Sequence, residues 1–263
     1  MCGIVGYVGN EAHQGIIIEG LKKLEYRGYD SAGIAVVNDG KIKLRKHVGA
    51  IVNLEKLIGK ENLGGHVGIG HTRWATHGAP SDVNSHPHMS NDNRIALVHN
   101  GTIENYVEIR TELEKEGFTF KSDTDSEVAA VLFGKYYNEL GDLKATMDKV
   151  THEMTGTFAL AAIAEDQPEK FVAYRKNAPL IVGKGNGCNF VASDFSALLK
   201  YTKDVYLLET GDTVILTPDG VTIYDESGKE IKRETMHISW DESVAEKGKF
   251  EHFMLKEIFD QPK

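Results

Sequence analysis

The order of strand-like and helix-like segments is the feature that most constrains how this chain folds. Most of the segments before residue 100 are short, apolar and bounded by turn residues, which is typical of strands. Two amphipathic segments follow at residues 103–116 and 126–140, and Thr124 or Asp125 is well placed to cap the second. More strand candidates fill residues 157–224. Strands, two helices and further strands predict two packed sheets with helices outside them, which is an α+β architecture.

Turn residues set the boundaries of the predicted elements. Asn38-Asp39-Gly40 predicts a tight hairpin, because these residue types accept positive φ. A helix is expected at residues 13–26, and the last three strands are expected to form one meander, with Pro218-Asp219-Gly220 at one turn. The strand candidates lie at residues 4–8, 32–37, 42–46, 66–71, 94–99, 157–164, 170–174, 180–183, 189–192, 205–208, 213–216 and 221–224.

Composition excludes several classes of protein. The chain has 263 residues, 41% of them hydrophobic, and a net charge of −9, which is typical of globular proteins. No basic stripe is present, so nucleic acid is not expected as a partner. No run of about 18 apolar residues predicts a membrane span. Cys2 and Cys188 are too few for a disulfide framework, so we expect a reducing, cytoplasmic setting.

Cys2 is the candidate nucleophile. One methionine precedes it, and because methionine before a small residue is normally trimmed, we expect the mature chain to begin at Cys2. A free α-amino group has a pKa of about 8, close to the ~8.5 of a free thiol, so the terminus can act as the base for its own side chain. This is the N-terminal nucleophile arrangement. Taken alone, a cysteine at position 2 is better explained as a chance occurrence, so the assignment depends on the other segments.

Residues 71–88 carry a dense set of polar and aromatic side chains. Arg73 offers a planar fork suited to a carboxylate, in a loop of the kind that often holds binding groups. A zinc site is the competing hypothesis, because histidines cluster here. Structural zinc sites usually use cysteine, catalytic ones often include a carboxylate, and no H-E-x-x-H motif occurs, so we expect no metal. The clustered histidines are His71, His77, His86 and His88.

Three shorter segments supply the remaining candidates. Asn100 and Gly101 follow a predicted strand and form a natural oxyanion pair, although alone an ordinary Asn-Gly turn is the simpler explanation. Asp125 can hold an ammonium group in addition to a helix-capping role. Arg27 lies in a tight helix-to-strand junction, where we expect it to brace the nucleophile.

Together these residues describe a site for an amino acid with a side-chain amide. Arg73 would take the α-carboxylate and Asp125 the α-ammonium group, while Cys2 attacks the amide carbon. Asn100 and Gly101 would stabilise the oxyanion. The expected substrate is glutamine or asparagine, and the chemistry is acyl transfer to a thiol.

The same segments resemble the glutaminase domain of the class II glutamine amidotransferases. Within that class the chain is most similar to the glutamine–fructose-6-phosphate aminotransferases, and the resemblance covers residues 2–263. The stretch from Trp74 to His88 is its most specific part. The matching motifs are Cys2-Gly3-Ile4-Val5-Gly6, the segment from Tyr26 to Gly33, the segment from Thr72 to Gly78, Asn100-Gly101 and Thr124-Asp125-Ser126-Glu127.

The resemblance implies a four-layer αββα N-terminal nucleophile fold of two antiparallel sheets. It implies hydrolysis of L-glutamine to glutamate and ammonia through a thioester on Cys2, without a cofactor. In the whole enzyme, a homodimer, the ammonia would convert fructose 6-phosphate to glucosamine 6-phosphate in a sugar-isomerase half. Residues 2–240 would be the glutaminase domain. Residues 241–263, which include the helix that the residue pattern predicts at 247–261, would begin the linker to the absent half.

The resemblance also implies roles for individual residues. Trp74 resembles the residue that gates the passage of ammonia, and His86 lies in a loop that orders when substrate binds. Two alternatives stay open, the glutaminase domain of another amidotransferase and a catalytically silent module of the same fold. The residues implied to bind substrate are Arg73, Trp74, Thr76, His77, His86, Gly101 and Asp125.

Overall fold

The structure is a computed structural model that describes residues 2–10 and 14–239. The predicted linker at 241–263, its helix at 247–261 and the first residue of the helix predicted at 13–26 lie outside these ranges. Within them, no helix is both long and apolar enough to cross a membrane. The elements are β1 (Gly3–Gly9), α1 (Gln14–Lys23), β2 (Ser31–Asn38), β3 (Lys41–Val48), α2 (Ile51–Ile58), β4 (Val67–Arg73), β5 (His88–Met89), β6 (Ile95–Ile103), α3 (Tyr106–Lys115), α4 (Asp125–Leu140), α5 (Leu143–Glu153), β7 (Gly156–Ala164), β8 (Phe171–Lys176), β9 (Ile181–Lys184), β10 (Cys188–Ala192), β11 (Asp204–Leu207), β12 (Thr213–Leu216), β13 (Val221–Tyr224), β14 (Glu230–Ile231) and β15 (Met236–His237).

Two antiparallel sheets form the inner layers of the molecule. The first has eight strands in the order β15-β11-β9-β10-β1-β4-β2-β3. The second has seven strands in the order β14-β13-β12-β8-β7-β6-β5. The amino-terminal strand β1 therefore lies inside the first sheet, paired with β10 on one edge and β4 on the other.

Side chains alternate between two apolar layers, as the two-residue period of a strand requires. On β1, Ile4 and Val8 enter the core between the sheets, whereas Val5 and Tyr7 face the helical layer. Helices α1 and α2 cover the outer face of the first sheet, and α4 and α5 cover that of the second. This confirms the expected four-layer αββα arrangement. Burying each large aliphatic side chain stabilises the fold by roughly 1.5–3 kcal/mol, so packing on both faces holds β1 in place.

Local turn and cap signals are confirmed. In the β2–β3 hairpin, Asn38 pairs with Lys41, and Asp39 and Gly40 form a two-residue loop with φ angles of 52° and 67°. At the start of α4, the Thr124 side chain accepts a hydrogen bond from a backbone N–H of the first turn, as an N-cap does.

Two predicted features are wrong. Strand β11 does not join a meander with β12, because it pairs with β9 in the first sheet while β12 and β13 belong to the second. The chain crosses between the sheets at residues 208–212. The apolar pattern of a strand does not show which other strand it will pair with, so this crossing could not be predicted. The strand predicted at 94–99 and the helix predicted at 103–116 have the wrong boundaries, because β6 runs on through Asn100 and Gly101 to Ile103, and α3 begins only at Tyr106. Asn100 and Gly101 therefore lie within a strand and do not form the ordinary turn that was the simpler explanation.

Candidate active site

One cavity of about 380 Å³ brings together every residue that the sequence placed in the site. It lies where β1 begins, beside the ends of β4 and β6 and the start of α4. These residues are distant in sequence, so the pairing of the strands creates the cavity. The predicted residues that line it are Cys2, Arg73, Trp74, Thr76, His77, His86, Asn100, Gly101 and Asp125.

The backbone of Trp74 holds the Cys2 sulfur. The Trp74 N–H donates to Sγ at 3.2 Å, and the thiol faces the Trp74 carbonyl oxygen at 3.4 Å. Burial raises the pKa of the Cys2 thiol, and the Trp74 N–H, the chain terminus and the charges of Arg73 and Arg27 offset part of this rise. The sulfur is therefore a thiol at neutral pH, and it needs a base to become a nucleophile.

Two side chains fix the Cys2 carbonyl oxygen. Arg27 Nε donates to it at 2.9 Å, and Asn100 Nδ2 donates to it at 3.2 Å. Hydrogen bonds from a charged donor are stronger than neutral ones, so Arg27 is the firmer of the two contacts. This is the bracing contact expected for Arg27, and it acts on the main chain of the candidate nucleophile.

Asn100 and Gly101 are held within a paired strand. The Asn100 carboxamide is bonded at both ends, because Oδ1 accepts from His71 Nε2 at 2.9 Å and Nδ2 donates to Ser193 Oγ at 2.9 Å. Gly101 has a φ of 117°, and a Cβ there would overlap the carbonyl oxygen of Thr157 on β7. Only glycine fits this position without strain. The two candidate oxyanion donors therefore sit on a rigid backbone.

Asp125 begins α4 and is only 3% exposed. Its Oδ2 accepts from the Ile103 N–H at 3.0 Å, and its Oδ1 lies 3.3 Å from Ser126 Oγ. Burial lowers the pKa of His99, 3.9 Å away, so that ring is neutral at neutral pH. Within the described residues, Asp125 is thus a buried carboxylate with no cation at hydrogen-bond distance, at a helix end that favours negative charge.

Arg73 ends β4 and closes the rim loop, residues 74–78. Its Nη2 donates to the carbonyl oxygens of His77 and Gly78, the second at 3.0 Å. Its Nη1 is buried and has no partner in the part of the chain that the structure describes. Half of the guanidinium fork is therefore engaged by the loop. The sequence predicted that the whole fork would be available to a carboxylate, whereas one of its two terminal nitrogens already bonds the loop.

The other rim residues line the mouth of the cavity. Trp74 is 46% exposed and meets Tyr29 edge-on, with ring centroids 6.0 Å apart. Thr76 is also exposed. His77 packs edge-on against Tyr106 at 5.3 Å. The rim is therefore an aromatic surface that is open to solvent.

Beneath the cavity lies a histidine cluster, defined as His71, His86, His88 and His99. The ring of His86 stacks on His71 with centroids 4.0 Å apart and meets His88 edge-on at 4.8 Å. Burial lowers the pKa of all four rings, to about 3 for His71, so they are neutral at neutral pH. His86 thus belongs to a buried floor, and His77 lies apart from it.

The histidine cluster gives no support to a zinc site. Its rings stack on one another, and stacking does not point several nitrogens at one ion. Among residues 2–10 and 14–239, no three His, Cys, Asp or Glu side chains are arranged to hold a metal ion. The hypothesis of a metal-binding module therefore has no structural basis in the described chain.

Sequence reasoning missed Ser193. This residue follows β10, and the pairing of β10 with β1 places its Oγ where the Ile4 N–H donates to it at 2.8 Å. No local motif marks Ser193, since the relevant signal is a register between distant strands. One wall of the cavity also carries no motif that marks it in the sequence, and it is formed by Thr102, Thr157, Ala178 and Pro179.

Comparison with known proteins identifies the family. Residues 71–200 match the family model of the glutamine amidotransferase domain. Glutamine–fructose-6-phosphate aminotransferases (isomerizing) from Clostridium perfringens and Clostridium acetobutylicum are 54% and 51% identical to this chain over 263 residues. The chain belongs to the glutamine amidotransferases. The alignments cover 100% of this amidotransferase chain but 43% of each relative, so it spans less than half of their length.

A solved structure shares the fold of this amidotransferase. It is glutamine phosphoribosylpyrophosphate amidotransferase from B. subtilis in complex with ADP and GMP, with a TM-score of 0.74 and 26% identity. The match covers 87% of this chain and 50% of that one. The two-sheet architecture described above is therefore that of the N-terminal nucleophile amidotransferases.

Proposed function

We propose that this amidotransferase domain hydrolyses L-glutamine to glutamate and ammonia, with Cys2 as the nucleophile. One observation carries the proposal, the convergence of four unlike groups on a single cavity. They are the Cys2 thiol, the Asn100 carboxamide, the buried Asp125 carboxylate and the Arg73 guanidinium. An amino acid with a side-chain amide is the ligand that uses all four.

The α-groups of glutamine bind between Arg73 and Asp125. Arg73 Nη1 donates to the α-carboxylate, and Asp125 pairs with the α-ammonium group. Both contacts are charge-assisted and shielded from water, so each contributes on the order of 2 kcal/mol. Trp74, Thr76 and His77 cover the ligand from the rim, and His86 contacts it from below.

The free amine of Cys2 acts as the base once Met1 has been removed. It accepts the thiol proton, and the thiolate attacks the side-chain amide carbon. The carbonyl electron pair moves to oxygen, where the Gly101 N–H donates to the oxyanion. The second donor is the Asn100 N–H that otherwise donates to the Cys2 carbonyl oxygen at 3.2 Å, and it turns to the oxyanion. The protonated amine then gives its proton to the leaving nitrogen, the C–N bond breaks, and ammonia departs from a thioester. The amine next takes a proton from water while the water oxygen attacks the thioester carbon. The C–S bond then breaks, glutamate leaves, and the ammonium returns its proton to the Cys2 thiolate.

We also propose a place for this domain in a longer enzyme. Residues 2–240 form the glutaminase domain, and residues 241–263 begin a linker to a sugar-isomerase half. The names of the relatives and the 43% of their length that the chain matches support this arrangement. Ammonia then passes Trp74 and converts fructose 6-phosphate to glucosamine 6-phosphate, in a cytoplasmic homodimer.

Intact mass and a glutaminase assay on the purified chain test the proposal. The expected result is loss of Met1, release of glutamate, and one adduct with 6-diazo-5-oxo-norleucine that maps to Cys2. If Met1 is retained, an aminopeptidase removes it before the assay is repeated. A chain that begins at Cys2 but shows neither turnover nor adduct contradicts the proposal and favours the catalytically silent module.

A separate experiment tests the acceptor. The full-length protein is supplied with glutamine and fructose 6-phosphate, and glucosamine 6-phosphate is measured against glutamate. Glutamate release without this product, and with amination of a different acceptor, would support the glutaminase domain of another amidotransferase.

A further inference from the structure

The carboxamide of Asn100 has two ends of opposite polarity, so its orientation decides whether it can stabilise an anion. With Nδ2 toward Cys2, Asn100 offers a hydrogen-bond donor. With Oδ1 in that place, it would repel a developing oxyanion. A flip of the amide changes almost nothing in shape, so packing alone cannot choose between the two.

His71 determines which atom of the carboxamide it faces. Its Nε2 lies 3.0 Å from the main-chain carbonyl oxygen of His99 and 2.9 Å from Asn100 Oδ1. A carbonyl oxygen only accepts hydrogen bonds, so Nε2 carries the proton. A donor at this position requires an acceptor opposite it, which is the oxygen end of the Asn100 carboxamide.

The tautomer of His71 is itself fixed. The ring is 0% exposed, it stacks on His86, and its Nδ1 has no hydrogen-bond partner in the described chain. A proton on Nδ1 would leave the Nε2 lone pair facing two oxygens, which is repulsive. Burial lowers the pKa of His71 to about 3, so the ring does not carry both protons at neutral pH.

Ser193 acts on the other end of the carboxamide. Its Oγ accepts from the Ile4 N–H at 2.8 Å and lies 2.9 Å from Asn100 Nδ2. The Cys2 carbonyl oxygen, which only accepts, is 3.2 Å from the same nitrogen. The contacts at the two ends of the carboxamide therefore require the same orientation.

We propose that His71 and Ser193 are positioning residues that hold the Asn100 carboxamide with its NH₂ group toward Cys2. The inference rests on the proposed function, because the orientation matters to the rate only if an oxyanion forms beside Asn100. His71 fixes the oxygen end through a locked tautomer, and Ser193 fixes the nitrogen end through an accepting hydroxyl.

A double-mutant cycle with Asn100 tests the proposal. His71→Phe keeps the ring shape without the donor, and His71→Gln keeps a donor. Because loss of an oxyanion donor costs about 10²–10³ in kcat, His71→Phe is expected to lower the kcat of glutamine hydrolysis by roughly 10- to 100-fold. KM should change by less than about two-fold, and His71→Gln should recover most of the kcat. In an Asn100→Ala background, His71→Phe should cause no further loss.

Ser193 provides a parallel test if His71→Phe fails to fold. Ser193→Ala should lower kcat, Ser193→Thr should restore it, and Ser193→Ala should have no effect in the Asn100→Ala background. Equal factors of loss in both backgrounds would show a purely structural role and overturn the inference. A wild-type kcat in Asn100→Ala itself would overturn the oxyanion role in the proposed function, and with it this inference.

Discussion

The floor and the rim of the cavity are built in different ways. The floor residues His71 and Asn100 lie on paired strands and are almost completely buried. The rim loop, in contrast, is held by hydrogen bonds from Arg73 to its carbonyl oxygens, and Trp74 is largely open to solvent. Groups whose proposed role depends on direction therefore sit on the rigid sheets. The residues proposed to cover the ligand, Trp74, Thr76 and His77, sit on the rim loop, which follows the end of β4.

The floor and the rim also differ in charge. The histidine cluster in the floor is neutral, whereas Arg73 brings a cation to the base of the rim loop. Substitutions in the rim should therefore change mainly KM, and substitutions in the floor should change mainly kcat.

Cys2→Ala gives the largest expected effect and tests the floor directly. Turnover of glutamine should fall by at least ~10³-fold, because no other group can form the thioester. Glutamine should still bind, since its α-groups are held elsewhere. Steady-state kinetics and isothermal titration calorimetry measure the two quantities. Cys188→Ala is the matched control and should keep wild-type turnover, whereas retained turnover in Cys2→Ala would contradict the nucleophile assignment.

The second prediction concerns the stability of the floor below neutral pH. The folded-state pKa values of the histidine cluster lie below the unfolded value of about 6.5. The unfolded chain therefore takes up protons first, so stability is complete above about pH 6.5 and is lost as pH falls. Each ring that stays neutral should cost about 1 kcal/mol of the free energy of unfolding by pH 5.5.

Urea unfolding at pH 7.5 and pH 5.5 measures this loss. His88→Asn should reduce the difference in the free energy of unfolding between the two pH values by the contribution of one ring, about 1 kcal/mol. Thr76→Val, a change in the rim at a side chain that carries no charge, serves as the comparison and should leave the difference as it is. Equal unfolding free energies at the two pH values in the wild-type chain would show that the cluster is already protonated in the fold.

Arg73→Ala tests whether the rim binds the ligand. Loss of a buried charged contact costs on the order of 2 kcal/mol, so KM for glutamine should rise by roughly 30-fold while kcat changes less. Arg73→Lys should recover only part of the affinity, because an ammonium is a compact charge without the planar fork that spreads its donors between the loop carbonyls and a carboxylate. An unchanged KM in Arg73→Ala would remove Arg73 from the substrate site.

The smallest effect is expected from Lys46, which anchors residues 83–85, the segment between the rim loop and His86. Lys46 Nζ on β3 donates to the carbonyl oxygens of Val83 and Ser85, at 3.1 and 2.7 Å. Lys46→Met should loosen this segment, cost about 1 kcal/mol and raise KM by roughly five-fold. Lys41→Met, at the exposed end of the same strand, is the control. The same KM in both variants would show that the anchor does not shape the site.

Much of the site could be predicted from the sequence because its residues follow strand ends and helix starts. Arg73 ends β4 and Asp125 begins α4, so local patterns placed both near an edge of the layers. Ser193 could not be found in this way, since its role depends on the register of β10 against β1. The number of Arg73 donors available to a carboxylate was overestimated, because the hydrogen bonds from Arg73 to the rim loop depend on how that loop folds.

The layers of the fold were predicted correctly, but two helices were not predicted. Helix α2 gives no start signal, because its N-cap Ala50 makes no side-chain capping bond. Helix α5 was not predicted either, although Asp142 caps it and accepts from the Ala145 N–H. The partner of β11 depends on where the chain crosses between sheets, which no local period records.

The central position of β1 links catalysis to the order of synthesis. The ribosome makes β1 long before β10, yet one edge of β1 pairs only with β10, at Cys188–Ala192. Long-range pairing of this kind forms late, after most of the chain has emerged. Until then the Cys2 thiol lacks the neighbourhood that orients it. A nascent or prematurely terminated chain is therefore expected to release no ammonia, so that this reactive product is made only by molecules that have finished folding.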